Sequence, residues 1–304
     1  MLRSKDLLGL KDLTPSEIED ILSLSFDMKR VLKSKQPANA LAGRTVATLF
    51  YENSTRTRSS FDTAARLLGA RTSAITAAAS SVTKGESLID TGKTLDALMT
   101  DIIVIRHSSS GAPELLAKNV RASVLNAGDG MNEHPTQALL DIFTMKEKFG
   151  SLKGLRVVIV GDVKHSRVAR SNLWGLKKLG ADVVFVAPRT LLPAGIESLG
   201  CSVIYDLEEA ARDANVIMGL RLQLERQKAG LLPSLSEYSE MYGITCDKIA
   251  NASEDVLIMH PGPINRDVEI SGCLADGEMS VINEQVTNGV AVRMAVMSML
   301  GGGK

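Results

Sequence analysis

Thirty-five lysines and arginines cancel thirty-five aspartates and glutamates over 304 residues, so no bulk field favours nucleic acid or an anionic membrane, and any anion site must be local. A hydrophobic share of 44% with 23% charged residues suits a globular chain of about two domains whose cores need no disulfide or metal staples. The three cysteines, Cys201, Cys246 and Cys273, are odd in number, far apart in sequence and form no CxxC, which argues against a disulfide frame or thiolate zinc site and for a reducing compartment.

The N-terminus MLRSKDLLGLKDL has no seven-residue apolar run and no small-residue cleavage site, so no signal peptide is expected. No segment approaches the ~18 apolar residues that span a bilayer; the cytoplasm is the expected compartment. Thr14-Pro15-Ser16-Glu17 reads as a capping box, with Ile18, Ile21, Leu22 and Phe26 as the apolar face of the helix behind it. From Arg44, RTVATLF predicts a strand, and the segment from about Thr55 to Leu68 a helix that Gly69 ends. RTSAIT, DIIVIRH and SVLNAGD read as three further strands with helical stretches between them. The run from Pro135 to Gly150 reads as a helix carrying Ala138, Ile142, Met145 and Phe149 inward.

A second series begins with LRVVIVGD and continues through RVARSNLWGLKKLG, ADVVFVAP, CSVIYD, LEEAARDA and NVIMGLR. Continuous apolar strands alternating with helices imply parallel sheets covered on both faces. The expected fold is therefore α/β, two doubly wound domains, each a mainly parallel sheet flanked by helices, with the active site in the interdomain cleft. The expected boundaries are 1–149 and 150–283, with a terminal helix over 284–304 packing back on the first domain.

The stretch ENSTRTRSSF places Ser54, Thr55, Arg56 and Thr57 where a strand turns into a helix. A helix N-terminus offers unpaired N–H groups and the positive end of its dipole. Hydroxyls and a guanidinium added there suit a phosphate. One Ser or Thr would mean only an N-cap; four donors in sequence go further. The chain has no GxxxxGK[ST] loop, and Gly161 stands alone where a dinucleotide fold needs three glycines. No GxSxG elbow or cysteine near a histidine offers a covalent nucleophile. A phosphate-bearing small molecule is the expected ligand, with no cofactor and no metal.

STRTR before a helix, SSVTKGE at 80–86, HPTQ at 134–137, RLQLER at 221–226 and HPGPINRDVE at 260–269 together resemble the transcarbamoylases. This resemblance spans nearly the whole chain. HPTQ rather than HPCQ, HPGP rather than HCLP, and Lys84 in KGE place it nearer the aspartate than the ornithine branch of the family. The resemblance implies transfer of the carbamoyl group of carbamoyl phosphate to the amine of L-aspartate. It implies that Ser54, Thr55, Arg56 and Thr57 hold the phosphate, and that Arg106 reaches both phosphate and carbonyl. His134 donates to the carbonyl oxygen, and Gln137 meets the carbamoyl NH2. Lys84, Arg167, Arg221 and Gln223 take the aspartate. The resemblance implies further that a loop bearing Ser80 and Lys84 arrives from a neighbouring subunit of a homotrimer, and that the backbone of Pro261 and Gly262 lines the site. Further assembly with regulatory chains or another pyrimidine enzyme is left open.

The positions carry some of this alone. Arg106 ends a strand, and open parallel sheets place ligands at carboxyl ends of strands. His134 precedes a helix, which suits a neutral ring. Arg167 and Arg221 each follow a second-series strand, Arg167 in an expected loop, DVKHSR, and two carboxylates call for bidentate arginines.

Overall fold

The computed structural model describes residues 2–76, 85–223, 230–232 and 234–302. Its residues group into two compact units, 1–143 with 287–304, and 144–286. Among the described residues, no helix is long and apolar enough to cross a membrane.

The first unit opens with α1, Pro15–Ser34, started by the capping box: Glu17 N–H donates to Thr14 Oγ1, and the Glu17 carboxylate returns to Thr14 N–H at 2.9 Å. Its sheet holds β1 (Thr45–Phe50), β2 (Arg71–Thr76), β3 (Ile102–His107) and β4 (Ser123–Asp129). All pairings are parallel and the order is β2-β1-β3-β4. Alternation along the strands sends Ala47, Leu49, Ile103, Ile105 and Val124 into one cluster with Leu95 and Leu116. Those two belong to α3 (Leu88–Ala97) and α4 (Ala112–Ala117). The opposite face meets α2 (Thr55–Leu67), which buries Phe61, Ala64 and Ala65; each large apolar side chain so buried is worth about 1.5–3 kcal/mol.

The second unit carries β5 (Arg156–Val160), β6 (Asp182–Val186), β7 (Ser202–Ile204), β8 (Val216–Gly219) and β9 (Leu257–Met259), again all parallel, in the order β7-β6-β5-β8-β9. Its helices include α6 (Arg167–Lys178), α7 (Leu207–Ala211), α8 (Leu235–Tyr242) and α9 (Gly272–Ala275). The division after Phe143 falls inside α5 (Pro135–Phe149), and that after Val286 inside α10 (Ile282–Gly301). Arg293 of α10 donates to Ser60 Oγ of α2 at 2.6 Å and stacks over Phe61.

Both doubly wound parallel sheets agree with the pattern of apolar runs. Two local readings need correction. Strand β9 has only three residues and is not evident in the sequence, because VLIM lies between long polar stretches; it pairs with β8 and, through Ile258, bridges to Ser280. Arg167 is not in a loop: Ser166 caps α6 by accepting Ala169 N–H at 3.1 Å, which makes Arg167 its first helical residue.

Candidate functional site

In the first sheet the chain moves from β1 outward to β2, then returns to the other side of β1 as β3. The carboxyl ends of β1 and β3 are thus a topological switch point, where open α/β sheets leave a crevice. Phe50 and Arg106 are register partners there, and Tyr51 N–H donates to Arg106 C=O at 2.9 Å. Four residues after Phe50, Ser54 takes the N-cap position of α2 without spending its hydroxyl on the cap. Thr55, Arg56 and Thr57 form the first turn.

The Arg106 side chain is 15% exposed. Its Nε donates to Glu52 Oε2 at 3.2 Å, and Nη1 lies 3.5 Å from Thr57 Oγ1 and 3.4 Å from Ala127 C=O. The β3–β4 register slips between Ile105 and His107, so Arg106 stands at a bulge; such a bulge re-aims a side chain next to a site. The structure therefore brings Arg106 to Thr57 and adds Glu52 as a brace.

The loop from β4 to α5 is tied down by residues that spacing does not reveal. Asp129 accepts Gly111 N–H at 2.7 Å, Asn126 Nδ2 at 2.8 Å and Glu133 N–H at 3.1 Å. Glu133 in turn accepts Leu10 N–H at 2.7 Å. His134, 4% exposed, follows directly and its C=O accepts Gln137 N–H at 3.0 Å. Gln137 Nε2 donates to the wholly buried Asp141 at 3.0 Å, which turns Oε1 the other way. Burial lowers Arg293 to about 10, opposed by the charge of Asp141.

The second sheet repeats the logic within its own unit. β5 leads outward to β6 and β7, and β8 returns on the other side, so the switch point lies between β5 and β8, where Val160 and Gly219 are partners. Gly161, at φ +127°, ends β5; an added Cβ would stand 3.0 Å from Tyr238 Oη and 3.2 Å from Leu220. Asp162, fully buried, accepts His165 N–H at 3.2 Å and pairs with His165 Nδ1 at 2.8 Å, just ahead of the buried Arg167. Beyond β8 come Arg221 and Gln223, the Gln223 amide 3.4 Å from Arg221 C=O.

Glu269, 2% exposed, organises this second place. It accepts Leu222 N–H at 2.7 Å, His260 Nε2 at 3.0 Å, Asn265 N–H at 2.9 Å and Asn265 Nδ2 at 2.8 Å. His260 Nδ1 accepts Gly262 N–H at 2.8 Å, so the ring bridges Glu269 and the Pro261-Gly262 backbone. Ser80 and Lys84 lie outside the described residues.

Residues 5–147 match the model of the aspartate/ornithine carbamoyltransferase carbamoyl-P binding domain, and residues 153–300 that of the Asp/Orn binding domain. The chain belongs to the aspartate/ornithine carbamoyltransferase family. Among members of this family, the aspartate carbamoyltransferase catalytic subunit of Acetivibrio thermocellus is 60% identical over 99% of this chain and 96% of its own. The structure of aspartate transcarbamoylase from Trypanosoma cruzi with carbamoyl aspartate and phosphate matches at TM-score 0.89 and 30% identity, covering 98% of this chain and 96% of that one. Ornithine carbamoyltransferase from Pyrococcus furiosus matches at TM-score 0.88 and 32% identity, covering 98% and 97%. Backbone shape is thus shared by both branches of the carbamoyltransferase family, and the acceptor must be read from side chains.

Proposed function

We propose that this chain transfers the carbamoyl group of carbamoyl phosphate to the amine of L-aspartate, releasing phosphate and N-carbamoyl-L-aspartate for pyrimidine synthesis. The observation that carries the donor half is the meeting of Arg106 with Thr57 at the β1–β3 switch point. The acceptor half rests on Arg167 and Arg221 at the second switch point, and on the full-length likeness to aspartate carbamoyltransferase catalytic subunits.

In this reading Ser54, Thr55, Arg56 and Thr57 hold the phosphate against the N-terminus of α2. As the amine attacks, the C–N bond forms, the C–O bond to phosphate breaks, and negative charge grows on the carbonyl oxygen and on the leaving phosphate. Arg106, Thr57 and His134 are the donors for that oxygen. Each such donor, fixed where water is excluded, is worth about 10²–10³ in kcat. Gln137 Oε1 accepts from the carbamoyl NH2. The phosphate group, dianionic while bonded to the carbonyl carbon, is the candidate acceptor for the proton the amine loses and would leave with it as the hydrogen phosphate dianion.

Arg167, Arg221, Gln223 and Lys84 hold the two aspartate carboxylates, and the backbone carbonyls of Pro261 and Gly262 face the amine. Ser80 and Lys84 come from a neighbouring subunit of a homotrimer in the cytoplasm. The test offers the purified chain carbamoyl phosphate with L-aspartate and L-ornithine in parallel. Carbamoyl aspartate alone is the expected product. Citrulline would retain the phosphate assignments and discard the arginines as carboxylate partners, and turnover of neither would discard both.

A further inference from the structure

The three cysteines are distant in sequence, yet two of them meet. Cys246 and Cys273 are exposed with their sulfurs 3.5 Å apart, 27 residues from one another along the chain. Backbone pairing beside each keeps them there. Ile244 and Ile270 form a parallel bridge, with Ile244 N–H donating to Glu269 C=O at 3.0 Å and Ser271 N–H to Ile244 C=O at 2.9 Å. The Asp267 carboxylate accepts Gly272 N–H at 2.9 Å, and Arg266 holds Asp276 through two bonds of 2.6 and 2.9 Å.

We propose that Cys246 and Cys273 are a redox modification site, a dithiol that closes to a disulfide at the expense of a small-molecule disulfide and reopens with a small-molecule thiol. The two sulfurs are unequal. The Ser271 hydroxyl, 3.3 Å away, and the Cys246 thiol hold the Cys273 thiol below its ordinary range. Hydrogen bonding to Cys273 pushes Cys246 up. Cys273 is therefore the attacking thiolate and Cys246 the resolving thiol, an arrangement suited to exchange.

Cys273 displaces one thiolate from the small disulfide and forms a mixed disulfide. The Cys246 sulfur then attacks the protein sulfur and expels the second thiolate. Two protein thiols become one disulfide, two electrons pass to the reagent, and the two protons leave with its two thiols. Cys201 supplies an internal control: it is buried, its thiol lies 3.4 Å from Ile196 C=O, and burial raises it. The loop closed by the new bond contains His260, Pro261, Gly262 and Glu269.

The test incubates the reduced full-length chain, under native conditions, with glutathione disulfide, followed by intact mass and peptide mapping. The expected product has lost two hydrogens, carries a Cys246–Cys273 linkage within one chain, leaves Cys201 free, and returns to the starting mass with dithiothreitol. Cys246→Ser is expected to stop at one glutathione adduct on Cys273, and Cys273→Ser to react several-fold more slowly at Cys246. A wild-type chain that stays unmodified, or that accumulates glutathione adducts or linkages between chains without the internal bond, overturns the proposal.

Discussion

A carboxamide has nearly the same outline whichever way its oxygen points, so Gln137 needs something to choose for it. Asp141 does so by accepting from Nε2 at 3.0 Å, which turns Oε1 to the side where the proposed reading has it accept from the NH2 of carbamoyl phosphate. Acetyl phosphate, with a methyl group in place of NH2, isolates this contact. The wild-type chain is expected to bind carbamoyl phosphate more tightly than acetyl phosphate. Asp141→Asn should lose about tenfold of that preference, the worth of roughly one hydrogen bond, with acetyl phosphate affinity held within about twofold. Equal loss for both ligands would make Asp141 a support of the fold alone. Nothing in the sequence marks Asp141, Glu52, Asp129 or Glu269 as a brace, because an acid that holds a neighbour looks like any other acid. The nearest signal is polarity inside a strand: SVLNAGD is buried along its whole length, yet carries Asn126 and Asp129. The proposed donors can be nominated from the sequence, since Ser54 to Thr57 follow a strand and open a helix.

Helix α1 shows an element that local sequence specifies fully. Backbone N–H groups of Arg3 and Thr14 hold the Glu17 carboxyl below its ordinary value. A depressed carboxyl lends stability that is present above about pH 4.5 and is lost as pH falls through the folded value. Glu17→Gln should therefore lower stability by about 1 kcal/mol at neutral pH and flatten the acid side of the stability curve. A melting series from pH 7 to pH 3 on both proteins reads this, and parallel curves would refute it. The nine strands among the described residues divide by the same criterion. Eight are legible in the sequence as strand-like runs between turn signals, whereas β9 is a strand through its pairing with β8 and the Ile258–Ser280 bridge. RVARSNLWGLKKLG begins where α6 begins, but the Asp162–His165 pair ahead of it makes DVKHSR read as a polar loop that extends to Arg167 until the fold buries the pair.

At the scale of the assembly, a loop bearing Ser80 and Lys84 that reaches the neighbouring subunit's site would make every site a composite. Arg56→Ala and Lys84→Ala chains, each inactive alone, should then regain activity when dissociated, mixed and reassembled, because some sites would draw both intact residues. Activity of the mixture no higher than that of the parents would place Lys84 in its own chain's site. The two units themselves have a simple layout. In each, residues proposed for a reactant follow the two adjacent parallel strands where the winding reverses, β1 and β3 in one and β5 and β8 in the other, and those after β4 and β9 add to them. Apart from Lys84, the residues proposed for the nucleophile lie in the connections after β5, β8 and β9, all in a different unit from the donors around Thr57. An ancestor could exchange one amino acid acceptor for another by editing those connections, while the machinery for the activated carbonyl passed unaltered to its descendants.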